Sequence, residues 1–152
     1  MATLKHGTWV LIADGEKALF LRNDLDEINP DLNVVRIKEQ ENPSDAEQGV
    51  EPPGRMEDTG VQQRSAMQEA DWHQLAKDRF ADELADLLYK YAHKSAFSRL
   101  VVVAPPRVLG ELRKTVHKEV ASRIVAEVDK DLTNHPLDKV ERLLKEELDP
   151  TA

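Results

Sequence analysis

Residues 97–118 constrain the fold of this chain more than any other stretch. They read FSRLVVVAPPRVLGELRKTVHK and join an apolar run to a Pro-Pro dipeptide and an amphipathic segment. The run from Leu100 to Val103 has three β-branched residues, which is typical of a strand buried on both faces. Pro105 and Pro106 end such a strand, and proline is tolerated in the first turn of a following helix. The sequence therefore predicts a buried strand that leads directly into a helix.

The same region concentrates positive charge. Positions 90–118 hold seven Lys or Arg residues and one acidic residue, a local charge of +6 in a chain of net charge −8. Four of these bases lie in or after the predicted helix: Arg107, Arg113, Lys114 and Lys118. Helix N-termini favour anions, and we expect Arg107 at such an end, with Lys114 and Lys118 one turn apart. The four residues form a candidate nucleic-acid-binding surface, and the alternative is a solvated helix face.

The remaining apolar patterns predict a mixed α/β domain. Strands are predicted at 8–13, 18–21 and 34–38, with Asp14-Gly15 as the first hairpin turn, and a further strand at 124–128. Apolar residues at helical spacing predict a long helix over 66–93 and a terminal helix over 136–148. Strand–helix–strand order implies parallel pairing in the second half. We therefore predict one three-layer domain over residues 1–152, with a mixed five-stranded sheet and helices on both faces.

An acidic segment separates the third predicted strand from the long helix. Residues 39–58 contain seven acids and one base, Arg55, together with several Pro and Gly residues that break regular structure. A connection of this length is uncommon in a compact domain, so we interpret residues 39–64 as a mobile acidic loop. Arg55 either anchors this loop on the domain's own acids or contacts an anionic ligand.

Several classes of chemistry have no sequence signature here. The chain lacks Cys, and its five His residues do not show the paired spacing of zinc sites. It has neither a Gly-x-Ser-x-Gly elbow nor a Gly-rich phosphate loop, and its 5% aromatic content predicts no stacking platform for a general single-strand binder. We therefore expect no cofactor and no metal. No signal segment or membrane span is visible, which favours a cytoplasmic protein.

One set of carboxylates keeps an enzymatic alternative open. Asp14 follows the first strand, where nucleases with an RNase H-type arrangement carry an acid that holds Mg²⁺. Asp129 and Asp131 follow the fifth predicted strand and could approach it. The alternative is structural, with Asp14 in a hairpin turn and Asp131 as a cap before the last helix region.

Five phrases of the sequence carry a family resemblance over nearly the whole chain. They are ADGEKALFL near the start, PPGRMEDTG before the long helix, RFADELADLL within it, LVVVAPPRVLGELR after it and VDKDLTNHPLDKVERLL at the end. With them the chain resembles the bacterial host-attachment protein family, which is similar to the middle domain of archaeal and eukaryotic peptide-chain release factors. The resemblance implies an RNase H-like α/β fold and an association with the ribosome.

The resemblance does not extend to the hydrolytic group of the release factors. Those proteins hydrolyse peptidyl-tRNA through a Gly-Gly-Gln tripeptide, and this chain has none. We therefore expect a noncatalytic factor that associates with the ribosome or with structured RNA. The alternatives are an enzyme, either a peptidyl-tRNA esterase or a carboxylate-dependent nuclease, and a protein-interaction module that affects host attachment indirectly. The sequence leaves the partner and the oligomeric state open.

Overall fold

The structure is a computed structural model that describes residues 4–26, 28–40 and 65–148, with side chains in the first helix from residue 73 onward. The strands are β1 (Trp9–Ala13), β2 (Lys17–Asn23), β3 (Leu32–Glu39), β4 (Leu100–Ala104) and β5 (Ile124–Asp129). The helices are α1 (Ser65–His93), α2 (Pro106–Thr115), α3 (Lys118–Ala121) and α4 (Leu137–Leu148). Within the described part of the chain, no helix is long and apolar enough to cross a membrane.

The five strands form one mixed sheet in the order β3-β2-β1-β4-β5. β2 pairs antiparallel with both β1 and β3, whereas β4 is parallel to β1 and β5 is parallel to β4. The predicted sheet is therefore confirmed, and its order and directions are those of the RNase H-like fold. The apolar run of β4 is buried at all five positions, as expected for a central strand covered on both faces.

Helices cover the sheet on both faces, as predicted. α1, α2 and α3 pack on one face over a buried cluster that includes Phe20, Phe80 and Leu112. On the other face, α4 packs Val140 and Leu144 against a second cluster from the strands. Complete burial of one such large apolar side chain contributes about 1.5–3 kcal/mol, so these two layers supply the main stabilisation of the domain.

The basic segment is divided between two helices, which differs from the single helix predicted. α2 ends at Thr115, and Val116 adopts an extended conformation before α3 begins at Lys118. The Thr115 hydroxyl bonds to the carbonyl of Glu111 at 2.9 Å, an interaction that competes with helical continuation. Lys114 and Lys118 are therefore not one turn apart on a common helix.

The acidic segment lies almost entirely outside the described residues. β3 continues through Glu39, one residue beyond the predicted strand. Gln40 follows, and its side-chain amide donates a hydrogen bond to the carbonyl of Ala76 in α1 at 2.6 Å. The mobile loop predicted at 39–64 is outside the described part from residue 41, as is Arg55, so both stay predictions.

Candidate nucleic-acid interface

A cavity of about 350 Å³ opens where the chain leaves the two central parallel strands. From the end of β1 the chain turns toward the β3 edge of the sheet to form β2. From the end of β4 it passes through α2 and α3 to β5 at the opposite edge. Adjacent parallel strands whose connections run in opposite directions leave a crevice at their carboxyl ends, the usual ligand position in open α/β sheets. Asp14 and Gly15 after β1 and Pro105 and Arg107 after β4 line this cavity.

The β1–β2 turn that forms one wall of the cavity is organised by Asp14. Its Oδ1 accepts hydrogen bonds from the backbone N–H groups of Glu16 and Lys17, both at 2.7 Å. Gly15 gives the turn a close approach to α1, because a Cβ there would lie 2.8 Å from side-chain carbons of Lys77. The hairpin interpretation of Asp14-Gly15 is confirmed.

Thr133 joins this turn to the segment after β5. Its side chain is buried, and its hydroxyl oxygen lies 2.9 Å from Asp14 Oδ2 and 2.7 Å from Asp131 Oδ1. A hydroxyl carries one proton, so it can donate to one of these carboxylates at a time. Asp131 also accepts the backbone N–H of Thr133 at 3.2 Å, which gives this acid a local structural role.

The structure thus brings together two of the three acids considered for metal binding. Asp14 and Asp131 meet at Thr133, whereas Asp129 is the exposed last residue of β5. In residues 4–26, 28–40 and 65–148, no group of three or more His, Cys, Asp or Glu side chains could hold a metal ion. Both acids are accounted for by turn and loop hydrogen bonds.

Acidic side chains outnumber basic ones around the cavity. Five carboxylate residues and two basic residues line it: Asp14, Glu16, Asp78, Glu111, Asp131, Lys77 and Arg107. Phosphate groups would therefore meet repulsion deep in the cavity. Arg107 stands at the boundary between this acidic interior and the basic outer side of α2 and α3.

All four predicted basic residues are exposed, and three of them have no ion-pair partner among the described residues. Arg107, Lys114 and Lys118 are all exposed, and none forms an ion pair with another described residue. Arg107 and Lys114 are seven residues apart in α2, which places them on the same side of the helix two turns apart. Lys118 begins the next helix.

Arg113 differs from these three residues because its guanidinium forms an ion pair with Glu127 on β5. Its Nε and Nη2 atoms donate to Glu127 Oε1 on β5 at 2.9 and 2.5 Å. The hydrogen bond that Arg113 donates to Glu127, followed by the charge of that carboxylate, raises the pKa of Arg113 above its ordinary value. An anionic ligand at Arg113 would have to compete with Glu127.

Comparison with known proteins identifies the family. A family model described as bacterial archaeo-eukaryotic release factor family 12 matches residues 7–144. The chain belongs to this family. The predicted relationship to bacterial relatives of release factors is therefore confirmed, whereas the host-attachment role stays a prediction. Among curated proteins, none matches the chain.

The chain is also similar to part of a solved structure. The chain is similar to the archaeal translation termination factor aRF1, with 12% sequence identity and a TM-score of 0.44. The similar region covers 93% of this chain and 36% of the archaeal chain. The family 12 protein thus corresponds to little more than a third of that factor.

Two residues that position segments around the candidate site have no counterpart among the residues predicted from the sequence. Thr133 lies in the phrase VDKDLTNHPLDKVERLL, yet its partner Asp14 lies 119 positions away. Arg123 donates from Nη1 to the carbonyls of Ala92, in the last turn of α1, and Phe97, beyond its end, at 2.7 and 2.9 Å. Neither contact has a local sequence signal, because both join segments that are distant along the chain.

We expect the Thr133→Val substitution to lower the free energy of unfolding by about 2 kcal/mol. Valine keeps the side-chain shape but removes the hydroxyl proton, so the carboxylate that accepts it loses a donor, and an unsatisfied buried group costs about 1–3 kcal/mol. Urea unfolding measures the change. Thr133→Ser is the control, because it retains the hydroxyl and loses one methyl group, worth about 0.8 kcal/mol. A valine variant as stable as the serine variant would contradict the bridging role.

Proposed function

We propose that this protein is a noncatalytic factor that associates with the ribosome or with structured RNA. The observation that carries the proposal is the surface formed by Arg107, Lys114 and Lys118, which we name the basic surface. Its three side chains are exposed and unpaired among the described residues, in a chain whose family is related to release factors. Such a factor would work in the cytoplasm.

The start of α2 adds to the attraction for phosphate. Its N-cap residue, Pro105, makes no side-chain capping hydrogen bond, and the first helical residue is Pro106, which has no N–H. The N–H of Leu109 is bonded to the Pro105 carbonyl, so the preceding amides of the first turn point outward at the positive end of the helix. Arg107 adds its guanidinium at the same place.

The mode of contact follows from the net charge. A protein of net charge −8 is repelled by a polyanion at long range, so binding requires the basic surface to face the RNA at close range. Contacts of this kind neutralise phosphates without reading bases, which suits the backbone of a folded RNA. Arg113 contributes to this surface to the extent that phosphate displaces Glu127, and Arg55 is a further candidate contact.

The proposal is tested by co-sedimentation of the protein with purified ribosomes and subunits across a salt series. We expect the Arg107→Ala, Lys114→Ala, Lys118→Ala triple variant to bind more weakly at every salt concentration. The slope of log K against log salt should decrease in magnitude by about 2–3, because each lost base removes roughly one phosphate contact.

A matched triple variant separates local contact from general charge. Lys5, Lys139 and Arg142 are also exposed, and the last two lie on α4, on the opposite face of the sheet. Changing these three residues to Ala alters the net charge by the same amount and should leave ribosome binding close to wild type. Equal losses in both triple variants, or no sedimentation of the wild type at low salt, would refute the proposed surface.

A further inference from the structure

Three aromatic rings meet beside the basic surface, at the junction of α1 and α3. The ring of Tyr89 lies with its centroid 4.4 Å from that of His117 and 5.6 Å from that of His93. The interplanar angles are 38° and 33°, so neither histidine ring is perpendicular to the tyrosine. Tyr89 is half-buried against the core, whereas both histidines are exposed, and the His93 side chain is 69% accessible. We name these three rings the ring cluster.

The position of the ring cluster is fixed by the fold around it. His117 Nδ1 accepts the backbone N–H of Glu119 at 3.0 Å, so the imidazole both caps α3 and is held against Tyr89. Glu119 in turn lies 3.7 Å from His93 and 3.6 Å from Arg123. Ring faces held in place by a folded scaffold lose less conformational entropy when a ligand stacks on them.

Cationic side chains flank the ring cluster. Lys90 and Lys94 lie at the end of α1, and Lys118 follows His117 directly. All three are exposed, and none forms an ion pair with a described residue. Glu119 is the carboxylate in contact with the cluster, and the neighbouring Arg123 offsets its charge. Asp86 lies one turn before Lys90 on α1 and partly offsets that lysine.

We propose that the ring cluster is a stacking site for an unpaired base of RNA, with Lys90, Lys94 and Lys118 contacting the adjacent phosphates. Unpaired bases stack on Tyr and His rings, whereas bases within a duplex are already stacked on one another. The low content of Phe, Trp and Tyr predicted no stacking platform, but two of the three rings here are imidazoles. The inference rests on the proposed function. It specifies that the RNA partner contains unpaired nucleotides.

The test compares two RNA probes in a direct binding assay. One is a short single-stranded RNA that carries a fluorescent purine analogue, and the other is a blunt-ended RNA duplex of the same length. In the His93→Gln, His117→Asn double variant, asparagine preserves an acceptor for the Glu119 amide while both imidazole rings are lost. We expect roughly tenfold weaker binding of the single strand, unchanged binding of the duplex and an unchanged salt slope.

Single variants at His93 keep the test independent of the α3 cap. His93→Gln alone should weaken single-strand binding by roughly threefold, and His93→Phe should retain it, because phenylalanine restores a ring. Full single-strand affinity in the double variant, with wild type binding both probes, would overturn the stacking site and leave the proposed function standing. Equal weakening on both probes would also overturn it. A wild-type protein that binds neither probe at low salt would overturn the stacking site, whereas the proposed function is decided separately by co-sedimentation with ribosomes.

Discussion

Replacing Asn23 with Ala is expected to lower the free energy of unfolding by about 3 kcal/mol. Asn23 is fully buried at the end of β2, and its side-chain amide makes five hydrogen bonds, four of them at 3.1 Å or shorter. Nδ2 donates to the carbonyls of Leu4 and Asp26 at 2.8 and 3.1 Å, and Oδ1 accepts the backbone N–H groups of Leu25 and Asp31 at 3.1 and 2.9 Å. Its removal leaves buried backbone groups unsatisfied, each at about 1–3 kcal/mol before relaxation.

Equilibrium unfolding in urea measures this effect, and Asn29→Ala is the matched control. Asn29 lies in the same β2–β3 connection but is exposed, and its backbone N–H donates to Asp26 Oδ1 at 2.8 Å, while its side chain has no hydrogen bond with another described residue. We expect its substitution to change stability by less than about 0.5 kcal/mol. If the two variants are equally stable, Asn23 does not organise the connection in the way that its contacts indicate.

The contrast between Asn23 and Asn29 shows what the sequence could and could not predict. Both residues belong to a stretch rich in Asn, Asp and Pro, which correctly predicts a connection between two strands. Their different burial depends on the N-terminal segment, because Leu4 supplies one acceptor from 19 positions away. Turn chemistry is local and therefore visible in sequence, whereas a partner brought close by the fold is not.

The secondary structure was predictable for the same reason. Apolar periodicity placed all five strands and the long helix, since burial of one face depends on spacing alone. The division between α2 and α3 was missed because Val116 fits the apolar stripe of a continuous helix. Its extended conformation depends on Thr115 and on the cap formed by His117, which are weak signals in isolation. The ring cluster exists only because this division brings His117 against Tyr89.

For the candidate site, the sequence predicted where basic residues are concentrated. It did not predict which of them form ion pairs in the folded domain. Arg107, Arg113 and Lys114 were equivalent as sequence features, and all three are exposed, yet β5 pairs the charge of Arg113 by presenting Glu127. The parallel pairing of β4 with β5 creates this contact, because it places Glu127 beside the strand that leads into α2. Arg107 and Lys114 are exposed and have no such partner among the described residues.

Replacing Arg123 with Met should lower the free energy of unfolding by about 2–3 kcal/mol and loosen the junction of α1 and α3. The guanidinium is largely buried, with 24% of the side chain accessible, and it donates to the carbonyls of Ala92 and Phe97. Hydrogen bonds from a charged donor contribute about 1.5–3 kcal/mol each, and methionine retains most of the aliphatic packing. The expected loss of stability therefore comes mainly from the removed hydrogen bonds of the guanidinium. It should be greatest for the segment that follows α1.

The hydrogen bonds of Arg123 matter for this segment because its backbone turns sharply after α1. Ser95 has a φ of 61°, in the left-handed region, and the next amide, that of Ala96, bonds back to the carbonyl of Tyr91 at 2.9 Å. The left-handed conformation costs a non-glycine residue about 1–2 kcal/mol of steric strain, and the contacts of Arg123 help to offset this strain. The side chain therefore holds α1, the turn and α3 in one arrangement.

Two measurements distinguish a local role for Arg123 from general destabilisation. Urea unfolding gives the total change, and amide hydrogen exchange should show faster exchange in α3 and at the end of α1 than in β1 and β4. Arg123→Lys should recover part of the stability, because an ammonium can reach one carbonyl but lacks the guanidinium fork. Arg142→Met, at an exposed position on α4, should be close to neutral. If Arg123→Met matches that control, the junction is held by apolar packing alone, and the ring cluster does not depend on Arg123 for its position.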